Sequence, residues 1–217
     1  MHFLFLLLSA SMIVPGNTKP KYLAIGNSLT VHPKVESLWW NECGMAASRP
    51  SKDFAHLIAS KLKADLTVTN CGTANGSWEN SSSQERRRLA DTLPECDYCT
   101  IQYGENIYDN EHLKTLKGDI TYMIRHLKSL NPCVKIVLIG TFWLDTPVHK
   151  KTDRIKKAVA SKEHIYFVPL KKKEHVKKGT KVYGSDGSVH NVANPAVIAH
   201  PGDREFRYIA RCVLKKF

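Results

Sequence analysis

The chain has 217 residues, 42% of them hydrophobic and 24% charged. These are globular values, and they exclude a chain too short or too polar to bury a core; one domain of ordinary size is expected. The net charge of +12 favours anionic partners, such as an acidic polysaccharide, a membrane surface or nucleic acid, although the same excess also serves general solubility.

After Met1-His2, residues 3–14 carry no charge. The run is too short to span a bilayer and has the length of a signal-peptide apolar region, with small residues near Ser9 to Ser11 and at Pro15-Gly16 as cleavage positions. The segment before it has no Lys or Arg. Residues 1–16 are expected to be a signal peptide and residues 20–217 a single domain, exported to the periplasm or the extracellular space. No other stretch approaches membrane-spanning length, so no integral membrane segment is expected in the mature chain.

Residues 22–25 read as a short buried strand that stops at Gly26, with Asn27-Ser28 directly after it. A hydroxyl there stands at the carboxyl edge of a sheet, where open α/β folds carry their ligands. Ser at a strand-to-helix junction is equally a helix cap. Trp39, Trp40 and the run Gly44-Met45-Ala46-Ala47-Ser48 fall in a long connection. Residues 53–63 form a helix, with Phe54, Leu57, Ile58 and Leu62 on one face. Residues 66–69 form a strand ending at Asn70-Cys71-Gly72, and residues 73–83 a loop rich in Asn, Gly and Ser. A short helix over 86–92 precedes a third strand, 98–103, which ends at Gly104-Glu105-Asn106.

Leu113, Leu116, Ile120, Met123, Leu127 and Leu130 mark one side of a long helix that stops at Asn131-Pro132. Residues 134–139 are the most strand-like run, and a basic helix follows over 152–160. Residues 165–168 are a fifth strand, residues 171–195 are irregular, and residues 203–216 are the last helix. Strands alternating with helices predict an α/β fold with a parallel sheet covered on both faces.

Six cysteines, at 43, 71, 96, 99, 133 and 212, fit an exported protein and allow up to three bridges among fifteen pairings. Cys96 and Cys99 offer one arm of a zinc knuckle without a second, so no metal and no other cofactor is expected. Cys133 and Cys212 sit in apolar contexts that also suit packed thiols.

The predicted strand ends collect Ser28, the Asn70 to Gly76 loop, Gly104-Glu105-Asn106 and, before the last helix, His200-Pro201-Gly202-Asp203. A hydroxyl, an imidazole, an amide and a Gly-rich loop on one rim are the parts for acyl transfer: attack, proton relay and oxyanion stabilisation.

With these blocks the sequence resembles the SGNH hydrolases, also called GDSL-type esterases. That family's blocks have counterparts in Gly26-Asn27-Ser28-Leu29, the Asn70 to Gly76 loop, Gly104-Glu105-Asn106 and His200-Pro201, in the family's order over nearly the whole mature chain. The longer run Gly-Asn-Ser-Leu-Thr-Val-His, Gly-Met-Ala-Ala-Ser and Lys-Asp-Phe-Ala-His resembles an exported bacterial subgroup. The resemblance implies a flavodoxin-like three-layer α/β/α fold with a five-stranded parallel sheet. It implies Ser28 as nucleophile and His200 as base. The oxyanion hole would come from the Ser28 N–H, a glycine N–H and Asn106; Gly76 fits the spacing better, and Gly72 stays open.

Three positions depart from the family pattern. Val197 stands where an Asp commonly precedes the His, Ile107 follows the third-block Asn, and the second-block glycine is ambiguous. The missing Asp leaves two alternatives, a Ser-His dyad oriented by a backbone carbonyl or another acid among Glu105, Asp186 and Asp203. Loss of the orienting carboxylate from a true triad costs about 10⁴ in turnover.

His32 and His56 either line the pocket or are satisfied locally. Trp39, Trp40 and Trp78 either form a sugar-stacking platform or bury apolar area. Asn80-Ser81-Ser82 matches a glycosylation sequon, relevant only in a eukaryotic host. Residues 150–181 hold twelve Lys or Arg against three Asp or Glu, nine of the net positive charges. No groove-reading helix or interleaved aromatic run accompanies them, so nucleic acid is not expected; the patch suits an anionic glycan or is a solvated face. The expected function is a serine esterase removing small acyl groups, acetyl above all, from a carbohydrate. The alternatives are a non-catalytic module for anionic glycans, which the absent Asp favours, and a lipase or thioesterase.

Overall fold

The computed structural model describes residues 18–70, 77–143, 146–171 and 174–217. The expected signal peptide, Gly72 and Gly76 lie outside the described residues.

Five parallel strands form the central sheet: β1 (Lys21–Gly26), β2 (Asp65–Thr69), β3 (Tyr98–Gln102), β4 (Lys135–Ile139) and β5 (Tyr166–Val168), in the order β2-β1-β3-β4-β5. The order reverses beside β1, whose neighbours are β2 and β3. Such a switch point opens a crevice at the carboxyl ends of the strands. Alternate residues face opposite layers, as the two-residue period of a strand requires. Tyr22, Ala24, Val137, Ile139 and Val168 join one core. Leu23, Ile25, Cys99, Ile101, Ile136 and Leu138 join the other.

The first core is closed by α1 (Phe54–Leu62) and α6 (Asp203–Leu214), which pack on each other. The second is closed by α3 (Asn110–Leu130) and α4 (Pro147–Lys162), with α2 (Ser83–Ala90) against α3. A polar side chain satisfies the first free N–H groups of each of these helices but α6. Asp53 accepts from His56 N–H in α1, Ser82 from Glu85 in α2, Asp109 from His112 in α3, and Thr146 from His149 in α4.

The structure corrects or narrows the expectations in four places. Helix α4 starts at Pro147, ahead of residue 152, because Thr146 caps it and proline suits the first helical turn. The irregular stretch 171–195 contains an antiparallel hairpin, β6 (Lys181–Tyr183) with β7 (Val189–Asn191), and runs into a short helix α5 (Pro195–Ile198). Val182 alone in the hairpin strands is fully buried, too faint a hydrophobic signal for a strand. The hairpin docks through Tyr183 N–H to the Ser48 carbonyl (2.9 Å) and through the His190 ring stacked on Trp40 (3.9 Å). Cys43, Cys96, Cys133 and Cys212 are free thiols, so none of the bridges that six cysteines allow is formed among these four. Trp39 and Trp78 are buried core residues, not a sugar platform; Trp78 stacks on Tyr103 at 4.4 Å.

Candidate active site

Strand β1 leaves the sheet at Gly26, where only glycine fits: a Cβ would lie 2.4 Å from the Gln102 carbonyl of β3. The chain then turns at once. Thr30 and Val31 N–H groups both return to the Asn27 carbonyl, at 2.7 and 2.9 Å. This turn presents the half-buried Ser28, whose own carbonyl accepts from Met45 N–H at 2.7 Å.

His200 arrives from the other end of the sequence, between α5 and α6. Its Nε2 lies 2.7 Å from Ser28 Oγ, and its Nδ1 lies 2.7 Å from the Ala196 carbonyl oxygen. A carbonyl only accepts, so Nδ1 carries the proton and the Nε2 lone pair faces the Ser28 hydroxyl. The buried ring has its pKa pushed down to about 4. Burial is the main cause, the Ala196 bond opposes it, and the nearby His32 and His175 push the same way. The imidazole is therefore neutral at pH 7.

None of the three candidate acids reaches Nδ1. Glu105 is fully buried and accepts from Phe142 N–H at 2.8 Å, and burial raises its pKa. Asp203 accepts from the N–H and hydroxyl of Ser48, at 2.8 and 2.6 Å. Asp186 accepts from the N–H and hydroxyl of Ser188 inside the hairpin turn, at 3.0 and 2.5 Å. Val197 is buried in the first core. The contact on the far imidazole nitrogen is a backbone carbonyl, the dyad geometry of the two alternatives.

A cleft of about 630 Å³ opens over the pair and brings Ser28, His200 and Asn106 onto one wall system with His32, Leu38 and Met45. Val31, Pro33 and Asn70 are shared with an adjoining depression of about 370 Å³ that continues to Glu42 and Thr69 at the β2 edge. His32 is thus at the cleft, its Nδ1 bonded to the Pro33 carbonyl at 2.7 Å. His56 is not: its ring sits on the helix cap Asp53 at 2.9 Å, and that carboxylate raises its pKa. Asn106 follows Gly104, whose φ of +118° favours glycine.

Two residues at the site have no counterpart among those expected from sequence. Trp143, just past β4, meets the His200 ring edge-to-face at 5.2 Å and donates from Nε1 to the Ala199 carbonyl at 2.8 Å. Glu79 is buried beneath the site, bonded to Asn27 and Gly104. The one available signal for Trp143 was its position at a strand end, shared with Ser28 and Asn106.

The sequence matches no family model, and no curated protein matches it significantly. Solved structures do match. A salicylyl-acyltransferase, SsfX3, from a tetracycline biosynthetic pathway superposes with a TM-score of 0.58 at 16% identity, covering 93% of this chain and 55% of that one. A GDSL-like lipase from Bacteroides ovatus superposes with a TM-score of 0.52 at 14% identity, covering 91% of this chain and 98% of that one. A family two carbohydrate esterase from Clostridium thermocellum, solved with cellohexaose, gives 0.57 at 13% identity, covering 91% and 63%. The fold is that of the SGNH hydrolases. This chain spans little more than half the length of the acyltransferase and nearly all of the lipase. Within the SGNH fold, Ser28 and His200 stand on loops at the carboxyl end of the sheet, and so does Asn106.

Among the described residues, no helix is long and apolar enough to cross a membrane. The basic stretch splits. Lys150, Lys151, Arg154 and Lys157 are exposed on α4, whereas Lys156 is buried and donates to the Tyr103 and Ile139 carbonyls at 2.6 and 2.8 Å. Lys177 and Lys178 are exposed beside Val176, whose N–H bonds the His200 carbonyl at 2.8 Å.

Proposed function

We propose that the chain is a serine esterase that removes small acyl groups, acetyl first among them, from a carbohydrate. The observation that carries this reading is the 2.7 Å contact between Ser28 Oγ and His200 Nε2 in an open cleft. Oγ attacks the ester carbonyl while Nε2 takes its proton. The tetrahedral oxyanion is stabilised by the Ser28 N–H, the Asn106 amide and a glycine N–H, for which Gly76 remains the first candidate. Collapse expels the sugar alkoxide, which takes the proton back from His200. Water, deprotonated by the same nitrogen, then releases the carboxylic acid and regenerates the hydroxyl.

The esterase and lipase neighbours support an ester hydrolase on this fold, and the carbohydrate esterases among them favour a saccharide alcohol. The cleft continuing to Glu42 offers room for an extended chain. Exposed Lys177 and Lys178, beside the Val176 that bonds the His200 carbonyl, favour anionic glycans, and export after removal of residues 1–16 completes the reading. The test is turnover of p-nitrophenyl acetate and of acetylated polysaccharides. Ser28→Ala is expected to lower kcat by at least about 10³-fold; a variant as active as the parent ends the proposal.

One observation favours a second reading. Among the described residues no carboxylate bonds His200, which suits a non-catalytic glycan-binding module. Unchanged glycan binding in Ser28→Ala, with no hydrolysis by the parent, selects it.

A further inference from the structure

Glu79 is fully buried on a single 3-10 turn, Trp78–Asn80, yet both of its oxygens serve other segments. Oε2 accepts from the Asn27 side-chain amide, and Oε1 accepts from Gly104 N–H at 2.7 Å. Asn27 immediately precedes Ser28, and Gly104 stands two residues before Asn106. One carboxylate thus ties the turn after β1 to the turn after β3. Its own position is fixed from behind. Arg86 Nη2 donates to the Glu79 carbonyl at 2.6 Å, while Arg86 Nη1 is held by Asp119 of α3 at 3.0 Å and by Thr115 at 3.1 Å. The adjoining Trp78 is locked by its stack on Tyr103.

We propose that Glu79 is a positioning residue for the reaction at Ser28, holding the nucleophile turn and the Asn106 turn in one geometry, with Asn27 as its required donor. The inference rests on the esterase reading above. The donor-acceptor pattern makes it specific. Two N–H donors converge on two carboxylate oxygens, so both oxygens are satisfied in a buried site. Glu79→Gln replaces one acceptor with an amide donor, and that donor must then face Asn27 or Gly104 N–H. Asn27→Asp sets two carboxyl groups against each other in a buried site. Making both changes restores the complement, with the Glu79→Gln amide donating to the Asn27→Asp carboxylate and its carbonyl still accepting from Gly104.

The test measures kcat and KM on p-nitrophenyl acetate, together with the melting midpoint, for the full-length parent, Glu79→Gln, Asn27→Asp and the double variant. Displacement of a reacting group by about 1 Å costs about 10²-fold, so each single variant is expected to lose on the order of 10²-fold in kcat with KM little changed. The double variant is expected to recover about tenfold or more over its worse parent. A purely structural role lowers the melting midpoint without this split between kcat and KM. A Glu79→Gln kcat within about twofold of the parent, well inside the ~10²-fold misplacement cost, overturns the proposal; so does a double variant no more active than its worse single. If the parent hydrolyses no ester, the esterase reading fails by itself. The positioning role then falls with it, and the melting midpoints decide only whether Asn27, Glu79 and Gly104 form a structural tie: recovery in the double variant keeps that tie, and its absence removes it.

Discussion

Burial keeps His200 neutral and leaves its Nε2 lone pair on the Ser28 hydroxyl, but the same burial makes the imidazolium that the proposed attack would form costly. A carboxylate would offset that cost; among the described residues the Ala196 carbonyl and the Trp143 ring are the partners beyond Ser28. Two consequences follow for pH. In the proposed mechanism His200 must be unprotonated to act as base, and its pKa is pushed down to about 4. The kcat/KM profile on an ester with a non-ionising leaving group is therefore expected to rise through about pH 4 and stay level to neutrality. An acidic limb at or above the ordinary imidazole range contradicts this environment. Stability follows the same sign. The folded pKa lies below the unfolded one, so the unfolded chain binds the extra proton first. Stability present above the ordinary histidine range drains as pH falls towards 4.

At the scale of elements, the site depends on turns that leave strands abruptly. Gly104 shows how little room there is: a Cβ would lie 2.4 Å from the Thr152 methyl, at a φ of +118°. Gly104→Ala is expected to cost roughly 3 kcal/mol by denaturant unfolding, and to lower kcat as Asn106 shifts. An unchanged melting curve together with unchanged turnover removes this turn from the account. The strands were legible because β1, β3 and β4 are short apolar runs that end in Gly or lead straight to one, with helices of clear 3.6-residue period between them. The hairpin was not legible, since its strands are three residues long with one buried side chain between them. Ser28, Asn106 and His200 stood out as polar residues at punctuated strand ends. Glu79 did not, because its importance arises from Asn27 and Gly104, 52 and 25 positions away. Trp143 likewise gains its role from an imidazole that meets it only in three dimensions.

For the molecule as a whole, the net charge of +12 sits on a fold whose cleft is rimmed by neutral imidazoles, amides and apolar side chains. On the proposed reading, charge therefore acts on encounter with a large substrate more than on the chemistry. With an acidic acetylated polysaccharide, KM is expected to rise several-fold between roughly 0.05 and 0.5 M salt, while KM for p-nitrophenyl acetate stays flat. Equal salt responses for both substrates would assign the lysines to solubility. The central claim is that a hydroxyl from the first strand end is activated by an imidazole from the last loop. It is tested most directly by intact-mass and peptide analysis after reaction with an organophosphorus serine reagent. The account predicts one adduct per chain, on Ser28, formed far more slowly in His200→Ala. No adduct, or one on another residue at the same rate in His200→Ala, would contradict it.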